Sequence, residues 1–351
     1  MSLWEPNFDR VLKVLRREGE PDRVPFLELF HDAEIIQQVM GEPYPADPAE
    51  LCRYQIRFMG RHGYDYVVAR YPYAFPGRES LVAEDTALYR RPQRGWQDEH
   101  QGPIMSWEDF EKYPWPDPYE VDFAELELYG RLVPDGMGVV TICPGGVLEN
   151  LISLMGFENL CLAVVDDPAL PQAIVDQVGE CLAALCAQVC DMEWVTALWL
   201  NDDMGFKTQT MLSPPMMRRY IFPHQKRLVE IAHAHGKPVM LHACGNLAEV
   251  MEDLIEDVGI DAKHSFEDAI MPVSDFKRQY GDRVAVLGGI DVHILASGTE
   301  DEVRAYTRRR IEECAPGGGW ALGSGNSVAN YIPVGNFLAM LDEGRKHGVY
   351  G

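Results

Sequence analysis

Residues 197–245, ALWLNDDMGFKTQTMLSPPMMRRYIFPHQKRLVEIAHAHGKPVMLHACG, contain the pattern that decides the fold. The short apolar runs at 197–201 and 238–242 predict two strands. Between them, Ser213 and the two prolines after it predict the start of a helix, which runs until Gly236. A strand, a crossover helix and a second strand make up the unit from which parallel sheets are built.

The same alternation continues on both sides of this stretch. Helices are predicted at 8–18, 216–235, 247–258 and 275–280, and from a capping box at 299–302 to residue 314. Strands are predicted at 24–30, 66–70, 139–143, 197–201, 238–242, 260–264, 284–288 and 319–322. Eight strand–helix units in 351 residues predict an α/β fold, a (β/α)8 TIM barrel that forms a single domain over residues 1–351. A doubly wound open sheet is the alternative.

One region interrupts this rhythm. Residues 76–134 are rich in proline, tryptophan, tyrosine and charged side chains, and they are long for a connection between a strand and a helix. Within them, 87–91 and 102–106 are predicted to pair as a hairpin. We interpret the region as an insertion between the second and third strands that lies over the barrel mouth. A passive surface excursion is the alternative interpretation.

The composition excludes several classes of protein. Hydrophobic residues make up 46% of the chain and charged residues 25%, as in globular proteins, and no apolar run reaches the roughly 20 residues of a membrane span. A net charge of −24 opposes binding to nucleic acids and to anionic membrane surfaces. The first ten residues contain no secretory signal, and the eight cysteines include no CxxC motif. We therefore expect a cytoplasmic protein with reduced thiols.

Polar side chains follow most of the predicted strands. In TIM barrels the active site lies at the carboxyl ends of the strands. This rule selects as candidate catalytic residues Glu28, His31, Asp203, His264, Asp291 and Asn326. Asp202 and Asp203 point to opposite sides of a strand end, so one of them is expected in the site. Asp291 either orients a ligand or caps the helix that follows it.

His242 and Cys244 are the strongest local feature. Residues i and i+2 of a strand face the same way, so the imidazole and the thiol point together into the mouth, as a zinc ligand pair requires. The alternative is a polar strand end with a buried thiol. A third protein ligand is left open among Cys143, Glu28, His31, Asp203 and His264. Asn326 offers only a neutral carbonyl, which is a poor zinc ligand.

Three motifs identify a resemblance to a known family. LHACG at 241–245, VLGGID at 286–291 and GSGNSVANYIP at 323–333 resemble the uroporphyrinogen decarboxylase superfamily. The resemblance implies a (β/α)8 barrel and one of two chemistries. One branch decarboxylates uroporphyrinogen, a step of porphyrin biosynthesis, without a cofactor. The other branch comprises zinc methyltransferases that exchange methyl groups between corrinoid proteins and thiols or methylated substrates.

The site residues resemble the methyltransferase branch more closely. In that branch a His-x-Cys pair binds zinc, which here corresponds to His242 and Cys244, and a second cysteine follows strand eight. Asn326 stands at that cysteine position, which leaves the third ligand undetermined. The decarboxylase branch carries two arginines after strand one that grip carboxylates, whereas residues 26–34, FLELFHDAE, are acidic here.

The resemblance therefore implies a zinc-dependent methyltransferase that moves a methyl group between a small substrate or thiol and a corrinoid held by a partner protein. A metal-free lyase that acts on a porphyrinogen or a smaller carboxylic acid is the alternative. A third hypothesis is a binding barrel that has lost its chemistry through the change at Asn326. The sequence leaves open whether the chain is a monomer or a homodimer.

Overall fold

The computed structural model of the protein describes residues 5–77 and 80–351, and its centre is a curled sheet of seven parallel strands. The strands in chain order are β1 Tyr66–Ala69, β2 Ser80–Ala83, β3 Arg94–Gln97, β4 Gly138–Ile142, β5 Val195–Asn201, β6 Val239–His242, β7 Ala262–His264, β8 Ala285–Leu287 and β9 Trp320–Ala321. The parallel sheet has the order β1-β4-β5-β6-β7-β8-β9, and β2 and β3 form a separate antiparallel pair. Seven of the predicted strands thus correspond to β1 and β4–β9, and the open-sheet alternative has no support.

The eighth predicted strand, 24–30, joins the two edges of this sheet without forming a regular strand. Phe26 makes parallel bridges to both Tyr64, just before β1, and Leu322, just after β9. Regular strand pairing fails here for two reasons. Pro25 has no N–H to donate, and the backbone of Glu28 bonds to the Tyr66 hydroxyl instead of to a neighbouring strand. This hydroxyl accepts from the Glu28 N–H at 2.7 Å and donates to the Glu28 carbonyl at 2.5 Å. The result is a TIM-barrel-like fold.

Helices surround the sheet. The α-helices are α1 Asp9–Leu15, α2 Ala33–Met40, α3 Pro48–His62, α4 Trp107–Lys112, α5 Ala124–Leu132, α6 Val147–Met155, α7 Phe157–Asp166, α8 Ala169–Cys190, α9 Pro214–Met216, α10 Phe222–Ala234, α11 Val273–Tyr280, α12 Val292–Ser297, α13 Glu300–Cys314 and α14 Val334–His347. The predicted capping box is confirmed, since Thr299 Oγ1 accepts from the Glu302 N–H and Glu302 accepts from the Thr299 N–H at 2.8 Å.

Two predicted helices are less regular than the sequence pattern indicates. A π-helical turn, Met217–Ile221, separates α9 from α10, next to Pro223, which has no N–H for the preceding turn. The prediction at 247–258 divides into a 3-10 turn, Ala248–Val250, and a π-helical segment, Asp253–Val258.

Helix α8 is long enough to cross a membrane. It has 22 residues, and by length and composition it is the one unbroken helix in the described part of the chain that could span a bilayer. Its most apolar window is 61% buried inside the protein, where α8 packs against α6 and α10. We therefore assign α8 to the core of the α/β fold.

The hairpin within 76–134 forms from different residues than predicted. Leu81 of β2 pairs with Trp96 of β3, so the predicted pairing of 87–91 with 102–106 is wrong. Asp85 folds the chain between β2 and β3 into a tight turn, because its carboxylate accepts the N–H groups of Ala87 at 3.0 Å and Arg91 at 3.1 Å. Residues 102–106 pack on another element, where the Ile104 N–H donates to the Leu154 carbonyl. Residues 78 and 79 of this region lie outside the described residues.

Ion pairs attach the turn between β2 and β3 to the barrel. Arg91 Nη2 lies 2.6 Å from Asp32 Oδ2 and 3.4 Å from Glu34 Oε2, which follow the first barrel segment. On the other side, Asn330 Nδ2 donates to Asp85 Oδ2 at 2.7 Å. The turn is therefore fixed to the loops that follow the first and last positions of the ring, and Asp32 and Glu34 are already paired.

We predict that Arg91→Ala loosens this segment, because one guanidinium lies within 3.5 Å of three carboxylates there, those of Asp32, Glu34 and Asp85. The rate of limited proteolysis within 80–97 should rise several-fold, while the global melting temperature changes little. Arg90→Ala is the matched control, since Arg90 is exposed and lies 3.6 Å from Glu84 alone. Equal proteolysis of the two variants would show that the ion pairs do not hold the segment.

Candidate active site

Three side chains from two neighbouring strand ends meet at the mouth of the barrel. His242 ends β6 and Cys244 follows it, with His242 Nε2 3.6 Å from Cys244 Sγ. Asp203 follows β5, and its Oδ1 lies 3.6 Å from His242 Nε2 and accepts the Cys244 N–H at 2.8 Å. The ligand atoms of the three residues all lie within 4.8 Å of one another. Of the candidate third ligands from the sequence, the structure brings Asp203 to the pair.

Glycine keeps the two strand ends this close. Gly245 has φ +87°, and a Cβ there would lie 2.1 Å from the carbonyl carbon of Gly205. The Gly205 N–H donates to the Cys244 carbonyl at 3.1 Å. Any larger residue at 245 would push the loop of Asp203 away from Cys244. The close approach of the two loops therefore requires a glycine after the His-x-Cys pair.

The two adjacent aspartates have different environments. Asp202 is buried and caps the start of α6, where it accepts the N–H groups of Val147, Leu148 and Glu149 at 2.9–3.1 Å. It also accepts from Gln225 Nε2 at 2.7 Å. Burial raises the pKa of Asp202 to about 6, against the effect of these hydrogen bonds. Asp202 therefore holds a helix in place, and Asp203 is the carboxylate beside His242.

A chain of hydrogen bonds sets the tautomer of His242. Its Nδ1 lies 2.8 Å from Nδ1 of His264, whose Nε2 lies 3.3 Å from the Ser324 carbonyl. A carbonyl can only accept, so we assign the proton of His264 to Nε2, which leaves its Nδ1 to accept from His242. Burial lowers the pKa of His242 to about 4 and that of His264 well below its ordinary value, so both rings are neutral. His242 Nε2 is then a bare lone pair that faces Asp203 and Cys244.

The Cys244 thiol has weak partners. Asn326 Nδ2 lies 3.2 Å from Sγ, and Ser265 Oγ lies 3.8 Å from it. Burial, and next the negative charge of Asp203, raise the pKa of Cys244 to about 12. The thiol is therefore protonated at neutral pH, and a bound cation is needed to make it a thiolate.

The donor set fits a zinc ion. Zinc bonds of 2.0–2.3 Å in a tetrahedron place neighbouring ligand atoms about 3.3–3.8 Å apart. Both separations from His242 Nε2, 3.6 Å to the Cys244 sulfur and 3.6 Å to the Asp203 oxygen, lie in that range. One carboxylate, one imidazole and one thiolate leave a fourth position for a substrate atom, as in catalytic zinc sites.

The other predicted catalytic residues lie elsewhere. His31 stands edge-on to the rings of Phe58, Tyr64 and Phe337, and burial lowers its pKa to about 3. Asp291 accepts the His293 N–H at 2.7 Å and so caps α12, the second of the two interpretations given above. The structure does not bring either residue to His242.

His264 contacts His242 directly, and Glu28 is connected to the site through Ser324 and His264. The Glu28 carboxyl group is buried and accepts from Ser324 N at 2.7 Å and Ser324 Oγ at 2.5 Å. Burial raises the pKa of Glu28 to about 8. The Ser324 carbonyl is the partner of His264, so Glu28 lies at the far end of the chain that orients His242, and it is not itself a metal ligand here.

Glu149 and Asn201 belong to the site, although the sequence pattern assigned them no role. Asn201 pairs with His242 across the sheet, and its Nδ2 lies 3.3 Å from Glu149 Oε2. Burial, and next the charges of Asp202 and Asp203, raise the pKa of Glu149 to about 8. Asn201 is the last residue of a predicted strand and Glu149 lies in the first turn of α6, so their approach depends on how α6 is capped. Glu149 is thus a protonated carboxyl group beside the candidate metal site.

A cavity of about 380 Å³ opens beside these residues. Leu29, Arg70, Ile142 and Asn201 line it from four neighbouring positions of the ring, and Tyr71 and Tyr73 form part of its wall. Its volume is in the range of small-molecule sites.

Comparisons with known proteins agree with this architecture. The family model of uroporphyrinogen decarboxylase (URO-D) matches residues 7–347. A uroporphyrinogen decarboxylase of Thioalkalivibrio sulfidiphilus (strain HL-EbGR7) is 29% identical over 198 residues, 55% of this chain, and the match spans about half, 53%, of that relative's length. A methyltransferase from Methanosarcina mazei has a similar structure, with a TM-score of 0.74 and 17% identity over 97% of this chain and 99% of that one. This likeness shows the fold.

The raised pKa of Glu28 predicts how stability changes with pH. Between about pH 4.5 and 8 the folded chain holds a proton that the unfolded chain has released, so this group makes stability fall as pH rises. The slope from one such proton is at most about 1.4 kcal/mol per pH unit. Glu28→Gln keeps the shape of the neutral side chain. Its melting temperature should fall less between pH 6 and pH 8 than that of the unchanged protein. Identical pH slopes for the two proteins in thermal melts would contradict the raised pKa.

Proposed function

Because the chain belongs to the uroporphyrinogen decarboxylase family, we propose that it is a zinc-dependent methyltransferase of that family. Asp203, His242 and Cys244 would hold the metal, and the observation that supports this is the convergence of their three ligand atoms within 4.8 Å. The methyl group would move between a small methylated substrate or a thiol and a corrinoid carried by a partner protein.

In this proposal Asp203 takes the third ligand position that a cysteine after strand eight would otherwise fill. Asn326, at that cysteine position, donates to Cys244 Sγ at 3.2 Å and so favours the thiolate form of Cys244. When bound, the zinc ion supplies Lewis acidity, which lowers the pKa of a substrate thiol or polarises the heteroatom that carries the methyl group. The hydrogen bond from His242 to His264 orients the imidazole for that role.

Glu149 is positioned to supply a proton. Its Oε2 accepts from the Gly146 N–H at 3.1 Å and from Asn201, so a proton on the carboxyl group belongs on Oε1. In demethylation, the bond between the methyl carbon and the heteroatom breaks and its electron pair stays on the heteroatom. That heteroatom then takes the proton of Glu149, while the methyl group leaves with the attacking nucleophile. In the reverse direction Glu149 accepts the proton of a substrate thiol.

Decarboxylation of a porphyrinogen is the second candidate, and the similarity to the Thioalkalivibrio protein favours it. The charges at the mouth oppose it. A substrate with many carboxylates needs several cations. Asp32 and Glu34 follow the first barrel segment and share Arg91, and Arg70 is the one cationic side chain that lines the described mouth cavity. We therefore prefer methyl transfer.

The setting of the enzyme is also part of the proposal. All eight cysteines are free thiols, which supports a reducing cytoplasm. The hairpin of β2 and β3, held by Arg91 beside the mouth, would shape the pocket or contact the corrinoid protein. A measurement of mass in solution would distinguish a monomer from a homodimer.

Metal content tests the ligand set. The purified protein should contain about one zinc per chain, and Asp203→Ala, His242→Ala and Cys244→Ala should each lose it while remaining folded. Cys143→Ala is the matched control, because Cys143 is another buried thiol near the mouth but lies outside the cluster. Metal content is measured by mass spectrometry. A zinc-supplemented protein that holds no zinc, or four variants that all keep their zinc, would contradict the proposal.

Two assays separate the candidate reactions. The zinc-loaded protein should transfer the methyl group of methylcobalamin to a small thiol. Above about pH 8, where Glu149 is ionised and can accept the thiol proton, Glu149→Gln should slow this transfer at least about 10-fold. Uroporphyrinogen under reducing conditions should release no CO2. Release of CO2 by the metal-free protein, without methyl transfer in the first assay, would establish the lyase instead.

A further inference from the structure

The mouth cavity contains one charged side chain. None of the residues that line it is an aspartate or a glutamate, and Arg70 is the cation among them. The chain as a whole has 55 acidic and 31 basic residues, so a cavity with a positive wall runs against the charge of the protein. Such a local field attracts an anion from solution.

Arg70 makes no direct ion pair in the described part of the chain. Within residues 5–77 and 80–351, no carboxylate oxygen lies within 4.0 Å of its guanidinium group. The group lies over the ring of Phe30, 5.2 Å from the ring centre. The Arg70 side chain is exposed at the mouth. Desolvation lowers its pKa, and the nearby Tyr44 and Asp32 act in the opposite direction without contacting it. A guanidinium fork without a direct ion pair matches the two oxygens of a carboxylate.

We propose that this cavity binds a small monocarboxylate, that Arg70 anchors its acid group, and that this ligand is the substrate of the metal site. The substrate assignment rests on the proposed function, but binding itself does not need the metal. Tyr71, Tyr73 and Phe30 provide ring surfaces, which favour an aromatic or otherwise flat apolar body.

The position of the cavity gives the ligand a direction. Arg70 follows β1, whereas Asn201 ends β5 and pairs with His242 of β6. The ring order β1-β4-β5-β6 separates Arg70 from His242 by three strand steps, about 14 Å along the sheet at 4.8 Å per step. Because Arg70 and Asn201 line the same cavity, a carboxylate on Arg70 directs the other end of the molecule toward Asn201, the strand neighbour of His242.

Charge limits the ligand to one acid group. Arg70 is the one cation that lines the cavity, and the carboxylate of Asp203 and the thiolate of Cys244 would offset the charge of a bound zinc ion, so a second carboxylate has no cation there. A second cavity, of about 390 Å³, also borders Arg70 on the helix side, but Asp32 and Glu125 line it. Two acidic walls disfavour an anion there, so the mouth cavity is the one we assign.

Calorimetric titration tests this assignment with three probes of similar size: benzoate, 4-methoxybenzoate and neutral benzamide. Both carboxylates should bind at least about 10-fold more tightly than benzamide, since a charge-assisted pair is lost in the amide. Arg70→Gln should weaken the carboxylates about 10- to 100-fold and leave benzamide unchanged. Arg70→Lys keeps the charge without the guanidinium fork, so its affinity for the carboxylates should lie between those of the unchanged protein and Arg70→Gln. Arg53→Gln is the control, since Arg53 lies on the exposed side of α3.

The outcomes separate this inference from the proposed function. Binding of benzoate that depends on Arg70 in metal-stripped protein and in Cys244→Ala supports the anchor even if methyl transfer fails. Equal affinity for benzoate and benzamide, no binding of either carboxylate, or an Arg70→Gln variant that is folded and binds normally would each overturn it. Active methyl transfer with any of those results would leave the function standing without this substrate class.

Discussion

The backbone of Phe26 is the constraint on which the rest of the structure depends. Its bridges to Tyr64 and Leu322 join the first and last strands of a sheet that would otherwise stay open. With the ring closed, the loop after β9 lies over the ends of β6 and β7. Asn326 can therefore touch Cys244, and Ser324 can accept from His264. An open sheet would separate β9 from β1 by its full width and, without the curl of the ring, would keep the loop after β9 three strand positions from β6.

A buried polar chain runs from this closure to the candidate metal site. Glu28 holds Ser324, Ser324 holds His264, and His264 fixes the tautomer of His242. Buried polar groups are tolerated when each has a partner, and a satisfied chain of this kind specifies one arrangement. The same burial keeps both imidazoles neutral, which is the form that binds a metal. The contacts that stabilise the closed barrel are thus also the contacts that orient the residues of the candidate site.

Local patterns predicted the elements well where the signal is local. The capping box at Thr299 and Glu302 formed as expected, and the period of two placed His242 and Cys244 on one face. The hairpin predicted from 87–91 and 102–106 was wrong because the Asp85 carboxylate accepts a backbone hydrogen bond from Arg91 and so places the turn there. The hydrophobic pattern does not encode that contact. Sequence position put His31 at a strand end, but aromatic rings from α3 and α14 enclose it.

The sequence by itself determined the alternation of strands and helices, the family, and the pair His242 and Cys244, because these depend on residues near one another in the chain. Only the tertiary structure decided that Asp203 lies with this pair, that burial raises the pKa of Glu149, and that Arg70 makes no direct ion pair. Each of these depends on contacts between segments far apart in sequence, which form when the ring closes and water is excluded from its mouth.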